Sequence, residues 1–183
     1  MKIAFTGASG TGKTSVAHHL LSPQFQTLME VPLAGVDSRN LLDMLGLRRS
    51  ESIEDDQYKV FQTMYFAQKV LIESEHEAFL TERSFVDGLV YWKMHCENNA
   101  SPSENAIMHS LCYEQTMKYD YHFLFPTGFI PVEDDGYRHR DPEYHKKFEL
   151  LLQSILREWE VKYTVIPRSD VSSRANFIME CLG

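Results

Sequence analysis

A chain of 183 residues, 43% hydrophobic and 24% charged, matches one ordinary globular domain, which excludes a disordered chain and one that needs disulfide or metal staples. The net charge of −8 sets the average field against a polyanion and favours a small-molecule partner over DNA or RNA. No stretch approaches the roughly 20 apolar residues that span a bilayer, so no membrane contact is expected.

In chain order, Lys2–Thr6 is a short buried-strand pattern that runs into a glycine loop. The segment after Lys13 reads as a helix stopped at Ser22-Pro23, and Thr27–Val31 as a second strand closed by Pro32. The strongest helical pattern covers Asp56 to about Ala78, with Val60, Met64, Ala67 and Leu71 as an apolar stripe at three- and four-residue spacing. Ala78–Glu82 is a third strand, followed by helical material to about Asn98. Tyr121–Phe125 is a fourth strand ended by Pro126, and a charged loop runs from Thr127 to Asp141. A helix from Pro142 to about Glu160, a fifth strand at Tyr163–Ile166 and a helix over Val171–Cys181 complete the chain. Apolar strands alternating with helices predict an α/β fold: a three-layer P-loop NTPase-type sandwich with a five-stranded parallel sheet covered by helices on both faces. The whole of 1–183 reads as one domain, with a lid loop at about 127–141. Cys96, Cys112 and Cys181, with no CxxC pair, read as free thiols in a cytoplasmic protein and offer no zinc motif. The apolar opening breaks at Thr6-Gly7, so no secretory signal is expected.

The most specific motif is Gly7-Ala8-Ser9-Gly10-Thr11-Gly12-Lys13-Thr14, a G-x-x-x-x-G-K-[ST] sequence. Glycines let the backbone turn its N–H groups around phosphate oxygens, and the following helix adds its positive end. Lys13 would reach the β- and γ-phosphates of ATP, and the Thr14 hydroxyl would ligate Mg²⁺. Average residue usage gives a chance match in about one chain in a hundred of this length, and the required strand before and helix after are both expected here. A GTPase would carry Asn-Lys-x-Asp, and no Asn-Lys pair occurs. Asp43-Met44-Leu45-Gly46 has the DxxG spacing but falls in a helical stretch. A motor or ring ATPase would carry a hydrophobic strand ending in Asp-Glu, which is not evident.

With Phe61-Gln62-x-x-Tyr65-Phe66, Thr81-Glu82-Arg83-Ser84 and the arginine-bearing loop 133–140 in this order after the phosphate loop, the chain resembles the deoxynucleoside and nicotinamide riboside kinases of the thymidylate-kinase-like P-loop group. The resemblance implies that Glu30 is the general base facing the acceptor hydroxyl, although the family's Glu-Pro reads Glu30-Val31-Pro32 here. It implies that Glu82 supports the Mg²⁺ shell, that Arg83 touches the acceptor or the transferring phosphate, and that Gln62 reads the edge of a base. Asp87, one turn after Arg83, would orient it. Asp135-Gly136-Tyr137-Arg138 resembles the Asp-Gly-x-Arg element of the nicotinamide riboside kinases. Arg138 is then the cation for the transition state, with Arg140 as a second, and Arg174 in the last helix stacks near adenine.

The function expected is ATP-dependent phosphoryl transfer to a hydroxyl of a nucleoside- or nucleotide-like acceptor. Two readings stand beside it. One is a kinase acting on a hydroxymethylated pyrimidine within DNA, which a basic cluster of Arg48-Arg49, Arg138, Arg140 and Lys146-Lys147 would favour. The other is a regulatory nucleotide-binding module with slow hydrolysis. The acceptor's identity and the oligomeric state, a homodimer included, are left open.

Overall fold

The structure is a computed structural model and describes residues 1–25, 31–47, 53–130, 135–137, 139 and 141–183. Among these, four strands form one parallel sheet, β1 (Lys2–Thr6), β2 (Phe79–Glu82), β3 (Tyr121–Leu124) and β4 (Thr164–Val165), in the order β2-β1-β3-β4. Among the described residues the sheet therefore has four strands where five were expected. The strand expected at Thr27–Val31 falls mostly on residues 26–30, outside the described residues. Just beyond them, Leu33 makes a single parallel bridge to Leu80. There Leu80 N–H donates to Pro32 O at 2.9 Å and Ala34 N–H to Leu80 O at 2.8 Å. Pro32 has no N–H to extend a ladder, and among the described residues this bridge is not continued into a strand.

Seven helices of the described residues cover the sheet: α1 (Lys13–Leu20), α2 (Ser38–Met44), α3 (Asp55–Ser74), α4 (Phe85–His95), α5 (Pro102–Thr116), α6 (Pro142–Glu158) and α7 (Val171–Leu182). Strand alternation divides the core into two layers. Ile3, Phe5, Leu80 and Phe123 face α1 and α7. Ala4, Phe79 and Leu124 face the other side, where α4 packs between α3, α5 and α6. α5 was not anticipated, although Ser101-Pro102-x-Glu104 carries its start signal: Ser101 and Glu104 form a capping box with Pro at the first turn.

α3 forms where expected but turns its other face inward. Val60 is 51% and Leu71 64% exposed, whereas Tyr58, Phe61, Gln62, Tyr65, Phe66, Lys69 and Glu73 are buried. The aromatic face carries more apolar area than the aliphatic stripe, and its two charges neutralise each other. Lys69 Nζ donates to the Glu73 carboxylate and, at 2.8 Å, to Thr81 Oγ1, and the Tyr119 hydroxyl also donates to Glu73. A buried ion pair is tolerable when its remaining hydrogen-bonding capacity is met in this way.

Candidate active site

β1 is flanked by β2 on one side and β3 on the other, so its carboxyl end is the topological switch point where open parallel sheets place ligands. The glycine loop begins there. Gly7, Gly10 and Gly12 all have positive φ, at 136°, 77° and 85°. At Gly7 a Cβ would lie 2.5 Å from the Phe125 carbonyl oxygen, so both the φ and the close approach demand glycine. Lys13 Nζ, buried beside the loop, donates to Gly7 O at 2.8 Å, Ala8 O at 2.6 Å and Thr11 Oγ1 at 3.1 Å.

β2 delivers the second element. Thr14 Oγ1 donates to the Glu82 carboxylate, so the two residues proposed to hold Mg²⁺ touch. A hydroxyl and a carboxylate are the hard oxygen donors that Mg²⁺ takes alongside phosphate oxygens and water. Among the described residues no group of three or more His, Cys, Asp or Glu forms a separate metal site. Arg83, the next residue, has φ 67°, a left-handed conformation that costs on the order of 1 kcal/mol for a residue with a Cβ. Its N–H donates to Phe5 O at 2.7 Å, and its guanidinium donates to the Tyr91 hydroxyl at 2.9 Å.

One cavity of about 850 Å³ runs from the loop residues Ser9–Ser15, past Glu82 and Arg83, to a far end walled by Tyr58, Phe61, Gln62, Tyr65, Tyr91 and Tyr144. Gln62 is 2% exposed and its Oε1 has no hydrogen-bond partner. Tyr65 joins this wall, but Phe66 packs into the core against Phe85 with ring centroids 5.7 Å apart. Burial pushes the Tyr58 and Tyr65 hydroxyls well above their ordinary range, so both remain protonated donors. His95 lies behind the wall, stacked on Tyr58 at 4.1 Å with Nε2 2.7 Å from the Tyr144 hydroxyl.

Two described residues of the loop expected as a lid, Tyr137 and His139, line this cavity. Arg39 pairs with Asp135, and the Tyr137 hydroxyl donates to both oxygens of Asp43 at 2.8 and 2.9 Å. The His139 ring stacks on Tyr144 at 3.9 Å, and His145 Nε2 donates to His139 O at 2.7 Å. These loop residues are thus tied to α2 and α6. These partners escaped sequence reading because each signal is a lone polar or aromatic residue; the Asp37 cap of α2, which accepts from Arg39 N–H and Asn40 N–H, was the one local cue.

Glu30, Arg138 and Arg140 lie outside the described residues. Arg174 is 1% exposed and is not a cavity-lining residue. It donates to Thr11 O at 2.9 Å under the Phe129 ring, with Nε and Nη2 unpartnered. Asp87 is fully buried and bonded to Gly7, Thr6 and Ser84.

A family model described as an AAA domain matches residues 2–174. The chain belongs to that family. Among the described residues no strand of this AAA domain ends in an Asp-Glu pair; β2 ends in Glu82 followed by Arg83. No curated protein sequence matches it. Among solved structures it is similar to the NadR protein in complex with NR (TM-score 0.68, 16% identity, 99% of this chain and 50% of that one). It is similar to a deoxyadenosine kinase from M. mycoides with bound dATP (0.62, 13%, 100% and 99%). A third is a thymidylate kinase from Ehrlichia chaffeensis (0.65, 16%, 100% and 98%). These likenesses establish a P-loop kinase-like fold. The chain spans about half the length of the NadR chain and nearly all of the two kinases. No helix of the described residues is long and apolar enough to cross a membrane.

Proposed function

We propose that this AAA-domain protein is a Mg²⁺-dependent kinase that transfers the γ-phosphoryl group of ATP to a hydroxyl of a nucleoside-like acceptor. The observation that carries the reading is the continuity of one cavity from the phosphate loop to the aromatic wall around Gln62. A hydrolase needs room for water; a cavity lined both by the phosphate loop and by an aromatic wall suits a second substrate.

In this reading the loop amides and Lys13 hold the triphosphate, with Lys13 Nζ leaving the Gly7 and Ala8 carbonyls for phosphate oxygens. Thr14 and Glu82 hold Mg²⁺, which when bound neutralises charge on the phosphates. The unpartnered Gln62 Oε1 takes an N–H of the base, and the tyrosines pack on its faces. Glu30, at the end of the segment that leads into the Pro32–Ala34 edge, accepts the hydroxyl proton as the acceptor oxygen bonds to phosphorus and the bond to ADP breaks. Arg83, with Arg138 and Arg140 of the lid, stabilises the charge on the transferring group. The fold shared with a deoxyadenosine kinase and a thymidylate kinase supports the same class of acceptor.

The test is incubation with γ-labelled ATP against nucleosides, nucleoside monophosphates, nicotinamide riboside and duplex DNA containing 5-hydroxymethylpyrimidine. Label in a free nucleoside or nucleotide is the expected result. Label in DNA alone would move the acceptor to the polymer, and phosphate release with no labelled acceptor would overturn the kinase reading. Glu30→Gln is expected to spare ATP binding and slow transfer about 100-fold or more; normal turnover would remove Glu30 from the role of base.

A further inference from the structure

We infer that Asp87 is a positioning residue that locks the first peptide of the phosphate loop to the Glu82–Arg83 turn, setting Lys13 in register with the Glu82 and Arg83 side chains. The inference rests on the kinase reading for its kinetic consequence and on hydrogen bonding for its geometry.

Asp87 occupies the third position of α4 and forms a capping box with Ser84. A capping carboxylate needs one oxygen for that task and ordinarily sits at the surface. Asp87 is 0% exposed and uses both. Its Oδ1 accepts the Gly7 N–H at 2.8 Å, across 80 residues of sequence. Its Oδ2 accepts the Ser84 N–H at 2.7 Å, the Ser84 hydroxyl at 2.8 Å and the Thr6 hydroxyl. The donors thus come from two turns only, the end of β1 and the residue after Arg83.

Each turn leads directly to a functional side chain. Gly7, whose N–H Asp87 holds at 2.8 Å, opens the backbone loop that ends in Lys13. On the other side, Ser84 follows Arg83, whose left-handed backbone needs support from its surroundings. Ionised aspartate meets this donor set because it accepts at every site and donates at none. Asparagine offers one acceptor oxygen and an NH₂. Turned one way, the NH₂ faces the Gly7 N–H; turned the other, it faces the Ser84 N–H. Either rotamer releases one of the two turns.

Asp87→Asn tests this with three readouts on the full chain: steady-state kinetics, the folded fraction by circular dichroism, and amide hydrogen exchange at Gly7 and Ser84. Expected are a kcat about 100-fold lower per folded molecule, the scale of a misplacement near 1 Å, a KM for ATP within about threefold, and faster exchange at Gly7 or Ser84. A normal kcat per folded molecule, with only the folded fraction reduced, would overturn the inference and leave Asp87 a helix cap. If Asp87→Asn does not fold, Thr6→Val decides: it deletes one donor to the carboxylate and is expected to lower kcat at least threefold, and an unchanged kcat overturns the inference. If the wild-type chain labels no acceptor, the kinase reading fails by itself. The exchange measurement still judges the positioning, since unchanged protection at both amides in Asp87→Asn, or in Thr6→Val where Asp87→Asn does not fold, rejects it.

Discussion

Thr14 and Glu82, 68 residues apart, meet through a hydrogen bond from the threonine hydroxyl to the carboxylate. Neither side chain explains the other locally; parallel pairing of β1 with β2, Phe5 opposite Glu82, brings them together. Two oxygens of this kind at the mouth of a phosphate loop would fill two positions of an octahedral Mg²⁺ shell. Glu82→Gln and Thr14→Ala are each expected to raise the Mg²⁺ concentration for half-maximal rate by about 10- to 100-fold. Magnesium titrations of initial rate check this, and an unchanged midpoint would place the metal elsewhere.

Gln62 presents a different balance. Its Oε1 is buried without a partner in the free protein, a situation that costs about 1–3 kcal/mol. Gln62→Leu is therefore expected to leave the urea midpoint the same or higher while raising the acceptor KM by about tenfold or more. If the acceptor KM does not move, base recognition lies elsewhere in the cavity.

Stability should fall in mild acid. Burial pushes the pKa of His95 and of His122 down to about 4, with His139 adding to the effect at His95. The folded chain keeps both rings neutral, while unfolded histidines take up protons below about 6.5. The unfolded state then binds more protons, so stability is full above pH 6.5 and is lost as pH falls from there toward 4. Each histidine contributes a slope of at most about 1.4 kcal/mol per pH unit. Urea midpoints from pH 7.5 to 4.5 measure the slope, and His122→Phe should flatten it; the same slope in that variant would assign the acid sensitivity to other groups.

The two faces of α3 separate cleanly by mutation. Phe66→Ala should cost about 3–5 kcal/mol. Gly88→Ala should cost about 1–3 kcal/mol, because its Cβ would sit 2.5 Å from the tip of the Phe66 ring. Leu71→Ser, on the exposed stripe, should stay within about 0.5 kcal/mol. Urea denaturation of the three variants decides; an equally costly Leu71→Ser would mean that the stripe is covered.

The phosphate loop, the alternation of strands and helices, and the Glu82-Arg83 pair were legible in the sequence because each depends on neighbours within a few residues. Glycines at fixed intervals, a lysine and a hydroxyl define a backbone nest whatever surrounds it. The inward face of α3 was not legible, since two helical stripes compete and only the packing of α4 selects the aromatic one. The far wall of the cavity was beyond reach for the same reason: Tyr58, Tyr91 and Tyr144 stand on three helices, and Arg39 meets Asp135 across 96 residues.

Local chemistry therefore determined that this chain has a loop shaped for a polyphosphate between a strand and a helix. Tertiary structure decided which side chains stand opposite that loop, because sheet register and helix packing, which no single segment encodes, set distances between residues far apart in the chain. Asp87 shows the division most plainly: its sequence neighbours make it a helix cap, and only the folded sheet gives it Gly7.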